Sequence, residues 1–219
     1  MESMPHPAAL EVPAVTPIAD ATQDMPACWR STLPVLGDGR VTLRSLRAED
    51  ATALLAMLTT EEVTRFISPP PPDVAGFERF IEWSHREWAA GRFAAFAIVP
   101  VGYDVAVGIV QVRQLDPGFS SGEWGIALGS PFWGTGVCAA ATRLFLDFVF
   151  DQVGVHRLEG RAAVQNGRAN GALRKIGAVQ EGLLRRSLCC NGRYFDQLLW
   201  SILADDWREA RADLRPLVH

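Results

Sequence analysis

The sequence predicts an α+β fold built on a mixed sheet, and three observations carry that prediction. Three apolar runs between residues 92 and 128 follow one another across short turns, which makes an antiparallel meander. The segment Gly134-Thr135-Gly136 then leads directly into an alanine-rich apolar helix, so the next strand is reached by a crossover and lies parallel to the one before it. Near the C-terminus, two long runs flank Asn191-Gly192, the strongest short-range hairpin signal.

Residues 1–32, rich in Pro and Ala and without a usable period, predict a flexible arm ahead of a domain over 33–219. "RVTLRS" from Arg40 alternates apolar and polar residues as a strand does, and Glu49 and Asp50 open a helix where its dipole favours acids. "SPPPP" at 68–72 stops regular structure, and Asp73 caps a second helix through Trp88, with Phe77, Phe80, Ile81, Ser84 and Trp88 at helical spacing. "RFAAFAIVP", "VAVGIVQVRQL" and "GEWGIAL" are the meander strands, and a helix from Cys138 to about Asp151 follows the glycines. "HRLEGRAAV" is a strand, and "NGRANGALRKIG" is a short helix closed by Gly177. The final hairpin and a helix near Asp205 to Leu214 complete the chain.

With 219 residues and 48% hydrophobic residues, the chain is long enough to bury a sizeable core. A formal charge of −4 offers no electrostatic footprint for nucleic acid. Cys28, Cys138, Cys189 and Cys190 form no C-x-x-C, so neither a metal site nor a disulfide framework is expected. No apolar run is of membrane-spanning length, and "MESMPHPAAL" lacks the basic and apolar regions of a signal peptide. A soluble, cytoplasmic protein is expected.

The glycine loop carries the chemistry. Glycine lets a ligand approach the backbone closely, and the first amides of a helix lack intrahelical acceptors and sit at its positive end. Together they form a site for phosphate or diphosphate. No Lys or Arg occurs between Gly129 and Thr142, so backbone amides must do the holding. The alternative at this point is a dinucleotide fingerprint: "GTGVCA" fits G-x-G-x-x-A, and Glu159 lies about twenty residues on. "GSPFW" separates strand from glycine, however, and Glu159 sits inside its strand rather than at its end.

The stretch "EWGIALGSPFWGTGVCAAATRLFLDFVFDQVGVHRLEGRAAVQNGRANGALRKIGAVQEGLLRR" resembles the core of the GNAT N-acetyltransferases, and most of all the branch of ribosomal-protein N-terminal acetyltransferases. The likeness rests on Trp133-Gly134-Thr135-Gly136 after an E-x-G strand, on "GVHRLEGR", and on Asn166 followed by "ALRKIGA"; it spans about Val41 to Leu203. It implies a mostly antiparallel sheet of about seven strands, splayed where acetyl-CoA binds. It places the diphosphate on the amides of Trp133, Gly134, Thr135, Gly136, Val137, Cys138 and Ala139. The pantetheine arm would pair with Ile126, Ala127 and Leu128, and Asn166 and Asn170 would hold it from the other side. The implied reaction is acetyl transfer to a primary amine, of a protein N-terminus or a small molecule, by direct attack in a ternary complex. No metal takes part, and a homodimer fits the resemblance.

Glu123 is the candidate base, working through water, with Trp124 and Phe132 predicting an apolar setting for it. Where the family has a serine this chain has Ala169, and where other branches have a tyrosine that protonates the leaving thiolate it has Leu173. The leaving-group acid is therefore unassigned, with Tyr194 and Ser187 as candidates. Cys138 fits packing at the helix mouth, His156 and His85 fit structural or solvated positions, and Arg168, Arg174 and Lys175 are within reach of the cofactor's ribose phosphate. The acceptor would enter near the first two helices, the "SPPPP" segment and the closing hairpin, where Asp196 and Glu181 offer negative charge. A catalytically silent acyl-CoA-binding module and a nicotinamide oxidoreductase are the competing readings.

Overall fold

A computed structural model describes residues 28–213. Its elements run α1 (Cys28–Ser31), β1 (Leu36–Gly37), β2 (Val41–Ser45), α2 (Asp50–Leu58), α3 (Glu61–Thr64), α4 (Val74–Ala89), β3 (Phe93–Pro100), β4 (Gly108–Gln114), β5 (Ser121–Leu128), α5 (Val137–Phe148), β6 (Arg157–Ala163), α6 (Gly167–Lys175), β7 (Val179–Cys190), β8 (Arg193–Leu203) and α7 (Ala204–Asp213). Each expected element is present. The additions are β1, α1 and α3, elements of two to four residues that are too short to show a period.

The local reasons are visible in the caps. Asp73 accepts from Gly76 N at 2.6 Å and so starts α4 after the prolines. Asn191 and Gly192 both take positive φ (50° and 74°), as the hairpin turn between β7 and β8 requires. Asp50 is more than a first-turn acid: buried to 1% exposure, it binds both terminal nitrogens of Arg44 at 2.7 and 2.8 Å. It also accepts from the amides of Arg47 and Ala106, tying β2, α2 and the β3–β4 turn together.

The strands form one sheet in the order β1-β2-β3-β4-β5-β6-β8-β7. Every pairing is antiparallel except β5 with β6. That parallel contact covers only Ser121↔Arg157, Gly122↔Leu158 and Glu123↔Glu159. Beyond Glu123 the strands part: β5 stays on β4 as far as Leu128, while β6 stays on β8 as far as Ala163. The sheet therefore opens a gap toward the C-terminal ends of two parallel strands, and the glycine loop and α6 both lie at its mouth. A doubly wound parallel sheet is absent among the described residues, which removes the dinucleotide-fold alternative.

Both faces of the sheet centre are covered, which is why β3 is buried along its whole length. On one face Phe96, Val110, Trp124 and Leu158 pack with Phe145 and Phe148 of α5. On the other, Ala95, Ala97, Val99 and Ile109 pack with Leu54, Phe77 and Ile81 of α2 and α4.

The last residues of the expected arm, from Cys28, are described and carry part of the core. Residues 1–27 lie outside the described residues, but Trp29 is a core side chain at 1% exposure, set edge-on against Phe119 and Phe148. Its carbonyl accepts from Trp88 Nε1 at 3.0 Å. A tryptophan buried this fully is worth about 3–5 kcal/mol against truncation to alanine, so α1 adds to the core. The isolated "CWR" lacked any period to reveal this.

Candidate active site

The glycine loop is held from below and open above. Trp133 Nε1 donates to Leu128 O at 2.9 Å, Trp133 N to Ser130 O at 3.1 Å, and Thr135 Oγ1 to Phe132 O at 2.7 Å. Gly134 and Gly136 take φ of 76° and 89°, a region that favours glycine, and no atom lies within 4 Å of a Cβ built on either. Gly136 is the left-handed N-cap of α5 and brings no side chain to the helix end. The first helical bond runs from Ala140 N to Gly136 O, and among the described residues the amides of residues 134–139 find no acceptor. Gly134, Thr135 and Gly136 are exposed. This is a row of N–H groups at the positive end of a helix, set for an anion.

The missing side-chain cation comes from elsewhere in the sequence. Arg168, in the first turn of α6, places its guanidinium 3.8 Å from the centroid of the Trp133 ring. The stack joins the wall that follows β5 to the wall that follows β6.

The gap itself is lined by backbone. Leu115 N bonds Ser121 O and Gly129 N bonds Val107 O, so odd-numbered residues of β5 turn their amides and carbonyls to β4. Ile126 and Leu128, at even positions, turn theirs to the gap, where β6 no longer pairs with them. Ala127, expected to pair with the cofactor arm, instead spends its backbone in the β4 ladder opposite Ile109 and packs its methyl with the α2 and α4 cluster.

Trp124 stands where the strands part. It is 8% exposed, and its Nε1 is buried with no hydrogen-bond partner. A Cβ added to Gly160 of β6 would lie 3.1 Å from that nitrogen and 3.5 Å from Leu173 of α6, so the indole spans the gap over a glycine. An orphaned donor here fits an acceptor-bearing chain such as pantetheine, with its amide and thioester carbonyls.

Glu123 is the last residue of the paired stretch, but its setting is not apolar. Its carboxylate is ion-paired with Arg113 of β4, and Arg161 of β6 lies 3.9 Å away. The expectation from Trp124 and Phe132 fails because side chains alternate faces along a strand: Trp124 points into the α5 core, and Glu123 to the other face. There it joins a row of charges. Arg157 pairs with Glu159 and Glu181, and Ser201 Oγ donates to Glu181 at 2.6 Å. The Arg157 and Ser201 hydrogen bonds hold the Glu181 carboxyl down to about 2. Glu181, expected to draw in a cation, already has one.

Several other candidates resolve into structural roles. Asn170 is buried, and its Nδ2 donates to Ala163 O at 2.9 Å and Asn166 O at 3.0 Å. Its Oδ1 accepts from Trp200 Nε1 at 3.0 Å, so it locks α6 to β6 and β8. Asn166 caps α6 by accepting from Ala169 N at 3.1 Å. Burial pushes the Cys138 thiol up, against the downward pull of the helix end, with a Thr142 hydrogen bond lowering it in part. Ser187 Oγ is spent on Leu184 O and Gln197 Oε1, Asp196 accepts from Arg186 N, and His85 Nε2 lies 3.0 Å from Leu46 O. Tyr194 and His156 are exposed.

A cleft of about 190 Å³ lies where the sequence reading places the acceptor, lined by Thr59, Thr64, Pro69, Pro70, Pro72, Cys190 and Asn191. The hairpin tip is fastened there by Cys190 Sγ donating to Ile67 O and by Phe66 set edge-on to Phe195. Ala163, the last residue of β6, joins that cluster, so cleft and gap share a boundary.

This geometry has counterparts among known proteins. The family profile described as "Acetyltransferase (GNAT) domain" matches residues 40–179. An uncharacterized N-acetyltransferase, p20 of Bacillus licheniformis, is 27% identical over 169 residues, covering 77% of this chain and 95% of that protein. The structure of Mycobacterium smegmatis RimJ in complex with CoA-disulfide is similar with a TM-score of 0.70 at 25% identity, over 79% of this chain and 87% of that one. The ribosomal-protein-S5-alanine acetyltransferase of Vibrio fischeri shares the fold with a TM-score of 0.72 at 19% identity, over 80% and 98%. The splayed sheet, the amide row at its mouth and the match over residues 40–179 agree: this chain is an acyltransferase belonging to the GNAT acetyltransferase family.

Proposed function

We propose that the protein transfers the acetyl group of acetyl-CoA to a primary amine, of a protein N-terminus or of a small molecule. The observation that carries this is the row of unsatisfied amides at residues 134–139, facing the mouth of a gap whose β5 wall presents the backbone of Ile126 and the N–H of Leu128, the Leu128 carbonyl being held by Trp133 Nε1. The amides would hold the diphosphate, and Ile126 and Leu128 would hold the arm as an added strand. Trp124 Nε1 supplies a further donor at the point where the strands part. When bound, acetyl-CoA supplies an activated thioester. The amine nitrogen bonds to its carbonyl carbon, the carbon–sulfur bond breaks, and the thiolate leaves and takes up a proton from water, balancing the one the amine gives up.

The chain's task is then to bind, align and move protons. Donors fixed before the reaction stabilise developing negative charge without reorganising, and the β5 backbone is held rigid by β4. Glu123 receives the amine's proton through water. Its Arg113 and Arg161 partners fix the carboxylate at the closed end of the gap and limit how far it swings. The acceptor enters by the proline-lined cleft against the hairpin tip. An α-amine, with an ordinary pKa of about 8, asks less of this base than a lysine at about 10.4.

Calorimetric titration with acetyl-CoA, followed by thiol release against N-terminal peptides and small amines, tests the reading. Micromolar to submillimolar binding and release that depends on the peptide are expected. Absence of binding would overturn it. Glu123→Gln should lower kcat by 10- to 100-fold with little change in donor affinity; an unchanged pH–rate profile would remove Glu123 from the proton path.

A further inference from the structure

We infer that Arg168 serves two partners in turn: the indole of Trp133, and the diphosphate of the acyl donor. This rests on the reading of the glycine loop as the donor's phosphate site. The amide row and helix end offer roughly half a positive charge, whereas a diphosphate carries about two negative ones. Residues 129–142 hold no Lys or Arg to make up the difference. Arg143 is exposed on α5 but lies two turns in, about 9 Å along the axis from its first residue. Arg168 is the guanidinium that touches the loop.

Its circumstances suit a mobile cation on a fixed platform. Arg113, Arg157 and Arg161 are paired with carboxylates, whereas Arg168 pairs with none among the described residues. Its recorded contact is the Trp133 ring, and that ring cannot drift, because Nε1 is bonded to Leu128 O and the backbone N to Ser130 O. The platform is fixed and the cation is exposed. An exposed cation–π stack is worth about a two- to fivefold equilibrium preference, whereas a bidentate guanidinium–phosphate contact is a charge-assisted pair of hydrogen bonds. Exchange from ring to phosphate is therefore downhill. Because Arg168 belongs to α6 and Trp133 to the loop after β5, the same exchange draws both walls of the gap onto the donor.

The test compares acetyl-CoA, its 3′-dephospho form and S-acetylpantetheine as donors for wild type, Arg168→Gln and Arg168→Lys, with melting temperatures recorded for each. Arg168→Gln should raise KM for acetyl-CoA about tenfold with a smaller change in kcat, and should flatten the salt dependence of KM. The dephospho donor should show the same penalty, acetylpantetheine a much smaller one, and Arg168→Lys should recover part of the loss. Equal penalties for acetyl-CoA and acetylpantetheine would show a purely structural residue and overturn the inference. A penalty that vanishes with the dephospho donor would assign the cation to the ribose phosphate and overturn it too. Failure of the wild type to bind acetyl-CoA would appear before any variant is made, and would remove the loop assignment along with the inference.

Discussion

Replacing Gly136 by alanine separates what the glycine loop does for the fold from what it does for a ligand. Gly136 sits at φ 89°, ψ −12° as the N-cap of α5. An alanine held there pays about 1–2 kcal/mol for the left-handed conformation, offset by roughly 0.4–1 kcal/mol from a stiffer unfolded chain. The net loss is about 1 kcal/mol, which for a domain of this size lowers the melting temperature by about 2–4 °C. No protein atom lies within 4 Å of the new methyl group, so no clash adds to that cost. The methyl does stand over the amides of residues 134–139, where the diphosphate must approach within hydrogen-bond distance. Forcing the anion back from two or three of those donors should weaken CoA binding at least tenfold, or about 1.4 kcal/mol. Gly39→Ala is the matched control: it has φ 83°, nothing within 4 Å, and a place in the β1–β2 turn away from the gap. Scanning fluorimetry and calorimetry on both variants should show similar falls in melting temperature but a loss of CoA affinity in Gly136→Ala alone. Equal CoA affinity in the two variants would refute the reasoning.

Asp50→Asn should cost about 3–5 kcal/mol in denaturant unfolding, because it leaves the Arg44 guanidinium buried without its counter-charge. Asn170→Ala should cost about 2–4 kcal/mol, since Trp200 Nε1 and Ala163 O lose their partner in the interior; a loss below about 0.5 kcal/mol would refute its role as an anchor of α6. The Glu181 carboxyl titrates at about 2 in the folded protein, below its ordinary 4.5, so its pairing with Arg157 and Ser201 stabilises the fold above pH 4.5. That contribution is lost as pH falls through about 2. Glu181→Gln should therefore show a constant stability deficit above pH 4.5 that shrinks toward pH 2, and a modest one because the carboxylate is over a third exposed.

Much of the fold was legible because it is written locally. The meander strands, the Asp73 cap, the Asn191-Gly192 turn and the glycine loop each depend on residues close together in sequence, and each stands within three residues of its expected place. The errors fell where partners come from far away. Trp29 read as part of an arm because Phe119, Phe148 and Trp88, which bury it, lie about sixty residues or more along the chain. Glu123 read as a carboxylate in an apolar setting because strand alternation gives it Arg113 and Arg161 while sending Trp124 to the other face. The bond from Trp200 Nε1 to Asn170 was equally invisible, because nothing near Asn170 in sequence announces Trp200.

By itself, then, the sequence determined the class of fold, the amide row after Trp133 and the absence of a local cation beside it, since backbone geometry and composition are properties of short segments. Only the tertiary structure decided where β5 leaves β6, that Trp124 Nε1 is left without a partner there, and that Arg168 crosses the mouth to lie on Trp133. Those outcomes follow from how distant segments pack, and packing energies depend on which surfaces meet.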